Sequence, residues 1–173
     1  AAVRKAANMI AEDTLVIGAG TVGLSIAQCL KLQGARRIYV IDITGKHMET
    51  IKQLGGLTAI DVSRENAAET IKSHMGEGSC RSVFDTVGTY ETQNWAHNSL
   101  AVKGEIINTV ANTDKLSYKL MYFSGERSIT NIITPQYKDM YDTLRLLEDG
   151  KIMAKPLIMA VYPIENYKEA FRH

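Results

Sequence analysis

Apolar positions along the chain follow two alternating rhythms. Short runs in which almost every residue is apolar, such as "TLVIG" at 14–18 and "RIYVID" at 37–42, are separated by longer segments whose apolar residues recur three and four apart. An unbroken apolar run of five or six predicts a strand buried on both faces, and the three-and-four spacing predicts an amphipathic helix. The segment after "TLVIG" carries Val22, Ile26, Cys29 and Leu30 on one face, and Gly34 closes it. The same alternation predicts a helix over 45–56, a strand over 57–62, a helix over 65–75, a strand over 82–88, a helix over 92–101, and strands over 104–110 and 128–133. A last long helix over 137–150 places Tyr137, Met140, Tyr141, Leu144 and Leu147 on one stripe, and "KEAFRH" reads as part of a further amphipathic helix. Six strands alternating with helices predict an α/β fold: a Rossmann doubly wound six-stranded parallel sheet, helices on both faces, strand order 3-2-1-4-5-6. The polar stretch 110–127 fits neither rhythm.

Composition narrows the function. The 173 residues are 45% hydrophobic and 23% charged, as in an ordinary globular domain. The length suits one domain. A net charge of +1 gives no electrostatic reason to expect nucleic acid or an anionic membrane as a partner. No apolar run approaches the roughly 20 residues of a membrane span. Two cysteines, Cys29 and Cys80, make neither a disulfide framework nor a zinc cluster, which points to a reducing, cytoplasmic setting. Cys29, on the packing face of its helix, reads as a small buried hydrophobe. His74 and His97 fall in predicted helices, where exposed surface is expected.

The candidate chemistry lies where the first strand hands over to the first long helix. Gly18, Gly20 and Gly23 spell G-x-G-x-x-G, and Asp42 ends the next strand 19 residues after Gly23. A lone glycine triplet is a weak signal, but this one follows a buried strand, opens a helix and leads to an acid at dinucleotide spacing. Each glycine then has a distinct role. Gly18 allows the tight turn, Gly20 lets backbone approach a pyrophosphate, and Gly23 lets helix and sheet pack closely. N–H groups around Thr21, Val22 and Gly23 form the anion site. Asp42 is expected to accept hydrogen bonds from both adenosine ribose hydroxyls. Its charge repels a 2′-phosphate, and the following "ITGKH" has no arginine to hold one, so NAD is favoured over NADP.

Further along, "GAGTVG", "VIDITGKHMETIKQLGG", "VFDTVGT", "GEIINTV" and "PLIMAVYPIENYKEAF" follow in that order. Together they resemble the cofactor domain of zinc-type medium-chain dehydrogenases (alcohol, sorbitol and threonine dehydrogenases) over residues 13–173; the opening looks most like the polyol and sorbitol branch. The resemblance implies that Ile43 and Val87 sandwich the adenine, with Thr86 and Gly88 beside them. It also implies that Thr109, Val110 and Ala111 run along the nicotinamide, approached from the sixth strand by Asn131 and Ile133. For Val87 and Ile133, simple core packing is the competing reading. Val110 stands where the family generally has glycine, and Asn131 where a small residue is common, so Val110 is expected to crowd the nicotinamide pocket. In the family, zinc held by Cys, His and a carboxylate or second Cys polarises the alcohol or ketone oxygen. Those ligands come from a domain that would precede Ala1, so the chain is read as one NAD-binding domain (1–173) excised from a longer, homodimeric or homotetrameric enzyme. Two other readings stay open: a zinc-free, NADPH-dependent quinone-reductase-like enzyme, and a non-catalytic nucleotide-sensing module. "GAGTVG" with Asp42 weighs against the first, and the match reaching "NYKEAF" against the second.

Overall fold

The computed structural model describes residues 1–6, 8–63, 66–111 and 117–172. Six strands, β1 (Asp13–Ile17), β2 (Arg37–Asp42), β3 (Thr58–Asp61), β4 (Cys80–Asp85), β5 (Leu100–Asn108) and β6 (Ser128–Asn131), form one sheet in the order β3-β2-β1-β4-β5-β6. All five pairings are parallel. Among the described residues seven α-helices accompany them: α1 (Ala2–Lys5), α2 (Thr21–Leu32), α3 (Met48–Leu54), α4 (Ala67–Met75), α5 (Tyr90–Ser99), α6 (Tyr137–Glu148) and α7 (Tyr167–Ala170). The chain winds outward from β1 to β3, then crosses to β4 and winds the other way, which leaves a crevice beyond the carboxyl ends of β1 and β4.

The continuous apolar runs are explained by two cores. Alternate residues of a strand face opposite sides. Val16, Val40, Phe84 and Ile107 join Leu24, Ala27 and Leu30 of α2 and Ile51 of α3 in one buried cluster. Leu15, Ile17, Tyr39, Ile41, Val83 and Ile106 join Ile71 of α4 and Ala96 of α5 in the other. Cys29 packs against the first cluster, and its partly buried thiol is pushed up by desolvation.

Several boundaries differ from the sequence expectations. The strand expected over 82–88 stops at Asp85, because Gly88 takes φ +75° and Thr89 caps α5 in a reciprocal pair with Thr92. β5 starts at Leu100, four residues earlier than expected, through an irregular register opposite Cys80 and Ser82. β6 ends at Asn131, so Ile132 and Ile133 lie beyond it. Of the final helix, only Tyr167–Ala170 is α-helical among the described residues. Residue 65, where the third helix was expected to begin, lies outside the described residues.

His97 requires a correction. It is buried, not exposed: the Tyr122 ring lies 4.4 Å away, centroid to centroid, with Tyr118 and Phe123 near it. Its Nδ1 is 2.8 Å from the Gln93 carbonyl oxygen, which can only accept, so Nδ1 carries the proton. Nε2 has no partner among the described residues. The reason is the 118–123 segment, which folds back over α5 from a stretch whose pattern predicted nothing. His74 is exposed as expected.

Candidate functional site

The glycine loop is built as its spacing requires. Gly18 sits at φ +99°, where an L side chain is strained, and its N–H donates to the Ile41 carbonyl of β2 at 3.0 Å. A Cβ on Gly18 would run into the Thr86 hydroxyl, and one on Gly23 would overlap the Gly18 carbonyl oxygen. Gly23 therefore lets α2 start directly against the loop. Above Gly20 the position is different: a Cβ there would meet nothing within 4 Å. That open face lies at the N-terminus of α2, which no side chain caps. Uncapped N–H groups and the helix dipole favour an anion there.

A cleft of about 280 Å³ opens here, lined by Gly18, Ala19, Gly20, Thr21, Val22, Asp42, Ile43, Thr44, His47, Thr86 and Val87. It thus collects eight of the predicted residues, while Gly23 packs beneath. Thr86 is fixed by its hydroxyl and N–H, both donating to the Ile17 carbonyl at 2.8 and 3.0 Å. Val87 also packs against the second core, so for this residue lining the cleft and filling the core coincide. Ile43 is exposed in the cleft.

Asp42 is 2% exposed and points into its own turn. Its Oδ1 accepts from the Thr44 N–H and hydroxyl, each at 3.0 Å, and its Oδ2 from the His47 N–H at 2.7 Å, with His47 Nδ1 at 3.4 Å. Burial pushes this carboxyl up, but the Thr44 and His47 N–H groups, the Thr44 hydroxyl and the His47 ring together hold it below its ordinary value. The acid thus shapes the 43–47 turn, and a ribose hydroxyl would have to share or displace one of these donors.

The remaining predicted residues lie outside this cleft, Gly88 in the loop after β4 and the others along the carboxyl ends of β5 and β6. Thr109 N–H donates to the Asp85 carbonyl at 3.0 Å. Val110 packs on Gly88, whose Cβ position lies 3.1 Å from the Val110 side chain. Ala111, Asn131 and Ile133 are exposed. In register, Asp85 stands opposite Asn108 and Asn108 opposite Asn131.

Two features of the site carry little signal in the sequence. His47 lines both the cleft and an adjoining hollow of about 210 Å³, whose far wall is Pro156, Leu157 and Met159. That tail is held by Gln28, which donates to the Met153 carbonyl at 3.1 Å and accepts its N–H at 2.7 Å, a contact 125 residues apart. Asp85, fully buried, was read only as part of a family motif, yet it holds the 86–88 loop in place. Its Oδ1 accepts the Val87 and Gly88 N–H groups at 2.9 and 3.0 Å.

A doubly wound sheet with a glycine loop at its switch point and an acid closing β2 defines a nucleotide-binding α/β domain. The family model described as zinc-binding dehydrogenase matches residues 21–149, and the chain belongs to that family. The chain is 29% identical over 168 residues to an L-threonine 3-dehydrogenase of Cutibacterium acnes, covering 94% of this chain and 47% of that protein. It is 26% identical over 173 residues to an L-galactonate-5-dehydrogenase of Escherichia coli, covering 98% of this chain and 50% of that one. The fold matches benzyl alcohol dehydrogenase from Acinetobacter calcoaceticus with TM-score 0.84 at 23% identity, over 95% of this chain and 47% of that one. It matches L-idonate 5-dehydrogenase from Escherichia coli with TM-score 0.86 at 19% identity, over 99% and 49%. The chain spans about half the length of these relatives. Among the described residues no helix is long and apolar enough to cross a membrane, and no three His, Cys, Asp or Glu side chains group to hold a metal.

Proposed function

We propose that this chain is the NAD-binding domain of a zinc-dependent alcohol or polyol dehydrogenase, which moves hydride between a secondary alcohol or ketone and NAD. The observation that carries this reading is the glycine loop: Gly23 seated under the Gly18 carbonyl, open space above Gly20, and the buried Asp42 beside the cleft. The residues present fit a dinucleotide. The α2 N-terminus receives the pyrophosphate, the Asp42 turn faces the adenosine ribose, and Ile43 and Val87 flank the adenine. Gly88 backs that wall through Val110. Thr109, Val110 and Ala111, with Asn131 and Ile133, continue toward the nicotinamide. Bound NAD supplies the hydride acceptor; this chain binds and orients it. Zinc would polarise the alcohol oxygen from a separate catalytic domain preceding Ala1, in a cytoplasmic enzyme. The exposed stripe of α6 is consistent with such a domain packing there.

The purified chain is expected to bind NADH more tightly than NADPH and to oxidise no alcohol, with or without added zinc. Calorimetric titration and a hydride-transfer assay check both. Failure to bind NADH, or zinc-dependent turnover by these 173 residues, sinks the reading.

We also infer that the enzyme forms a homodimer, or a tetramer built on it, through the β6 edge. β6 ends the sheet, and an outermost strand offers unpaired backbone groups to a second copy. Ile132 packs against the first core and is a poor probe; Ile133 is 57% exposed. Light scattering should show a dimer that Ile133→Lys dissociates. A monomer at high concentration, or a dimer indifferent to the lysine, refutes the pairing.

A further inference from the structure

Asp85 and Asn108 end neighbouring strands in register, so their side chains share one face of the sheet, the face that α5 covers. Between them lies Gln93, 3% exposed. Its Nε2 donates to Asp85 Oδ2 at 2.6 Å and to Asn108 Oδ1 at 2.8 Å, and its Oε1 accepts the Tyr118 hydroxyl at 3.3 Å. The other Asp85 oxygen holds the Val87 and Gly88 N–H groups, while Asn108 directly precedes Thr109. One buried amide therefore braces two stretches of backbone that sit on different parts of the crevice. Burying a glutamine is costly unless each polar atom is met, and a fully met network fixes one arrangement rather than adding much stability. Packing alone would be served as well by an apolar side chain.

We propose that Gln93 is a positioning residue for the dinucleotide, tying the adenosine wall at Thr86 and Val87 to the nicotinamide wall that begins at Thr109. The inference rests on the dinucleotide reading above. Without Nε2, the Thr92 hydroxyl at 2.9 Å is the one donor left to Asp85 Oδ2 among the described residues, and Asn108 Oδ1 loses the Gln93 amide. Each wall then stands and the β4–β5 ladder still joins their strands, but the side-chain tie between the two walls is lost. A ligand that touches one wall is indifferent to this; a ligand that spans both is not.

The test compares NADH with AMP on the 173-residue chain, with melting temperature recorded alongside. Gln93→Glu keeps the shape and the acceptor for Tyr118 but carries at most one O–H, so it cannot donate to Asp85 and Asn108 together. Asn108→Val cuts only the link to the second wall, leaves Asp85 satisfied and guards against a misfolded Gln93 variant. Each should weaken NADH about tenfold and AMP less than about threefold. The swap Asp85→Asn with Gln93→Glu restores a donor facing an acceptor: the new amide donates to the new carboxylate, and the Asn108 amide turns to do the same. It should return NADH to within about threefold of the unmodified chain. NADH and AMP weakening by the same factor, in step with the melting temperature, would show a merely structural role and overturn the proposal. So would unchanged NADH binding in both single variants. An unmodified chain that binds neither ligand defeats the dinucleotide reading itself; one that binds both, with flat variants, defeats only the role of Gln93.

Discussion

α2 and α6 are both twelve residues long and both carry apolar residues at helical spacing, yet they end in opposite situations. α2 buries Leu24, Ile26, Ala27 and Leu30 against the sheet and offers its uncapped N-terminus to the cleft. α6 buries only Asp139, and Tyr137, Met140, Tyr141, Leu144 and Leu147 stand exposed. What fastens α6 is polar. Arg4 donates from its guanidinium to Asp139 at 2.9 and 3.0 Å and to Gln136 at 3.1 Å, and this ion pair holds the Asp139 carboxyl far below its ordinary value. An amphipathic pattern thus announces that a face wants cover, and leaves open which surface supplies it.

The sharpest way to break this contrast is a matched pair of truncations. Leu24→Ala, at a fully buried position, should cost about 2–5 kcal/mol in urea unfolding, from lost transfer energy and the cavity left behind. Leu144→Ala, at a position 58% exposed, should stay within about 0.5 kcal/mol. If the two cost the same, something covers the α6 stripe in solution and the contrast is gone.

A smaller effect is expected at the cleft. Asp42→Ala removes a buried acceptor of charge-assisted hydrogen bonds and should weaken NAD binding by on the order of 1–3 kcal/mol while leaving NADP equal or better. Because Asp42 also holds the 43–47 turn, Thr44→Val is the informative control. It deletes one donor to Oδ1, keeps the charge, and should reduce NAD affinity without improving NADP. Unchanged NAD affinity in Asp42→Ala would remove Asp42 from the site.

How far the sequence could be read divides along the same line as the two helices. The sheet order, both buried faces and the glycine–acid pairing follow from local pattern, because β1, β2 and β4 carry apolar residues on both sides and the glycine triplet marks the turn from strand to helix. What escaped depends on segments that meet only in three dimensions. Tyr118, Tyr122 and Phe123 cover His97 from a polar stretch with no rhythm, so the histidine on a helix face looked exposed. Gln28 reaches Met153 across 125 residues and brings the tail beside His47. The inward set of Asp42 was hidden too, since its partners are backbone N–H groups and a threonine hydroxyl in a turn that any polar sequence could supply.

The gentlest probe is acid, and it tests whether the 118–123 cover over α5 is as firmly seated as the core around α2. Burial, more than the stabilising contact with the Gln93 carbonyl, pushes the His97 imidazole down from its ordinary 6.5, and the Arg127 charge adds to the effect. The unfolded chain therefore takes up this proton at a higher pH than the folded one. Stability from His97 is complete above about pH 6.5 and declines as the pH falls through the interval down to the lowered folded value, with a slope of at most about 1.4 kcal/mol per pH unit. Carboxylates held low, such as Asp42 and Asp139, act with the same sign but only below their ordinary range near 4, so they leave the upper part of the interval to His97. His97→Gln removes the proton-binding group and should flatten the stability profile just below about pH 6.5 relative to the unmodified chain. Urea unfolding at half-unit steps measures the difference. Superimposable slopes would mean that His97 meets solvent and that the aromatic cover is open in solution.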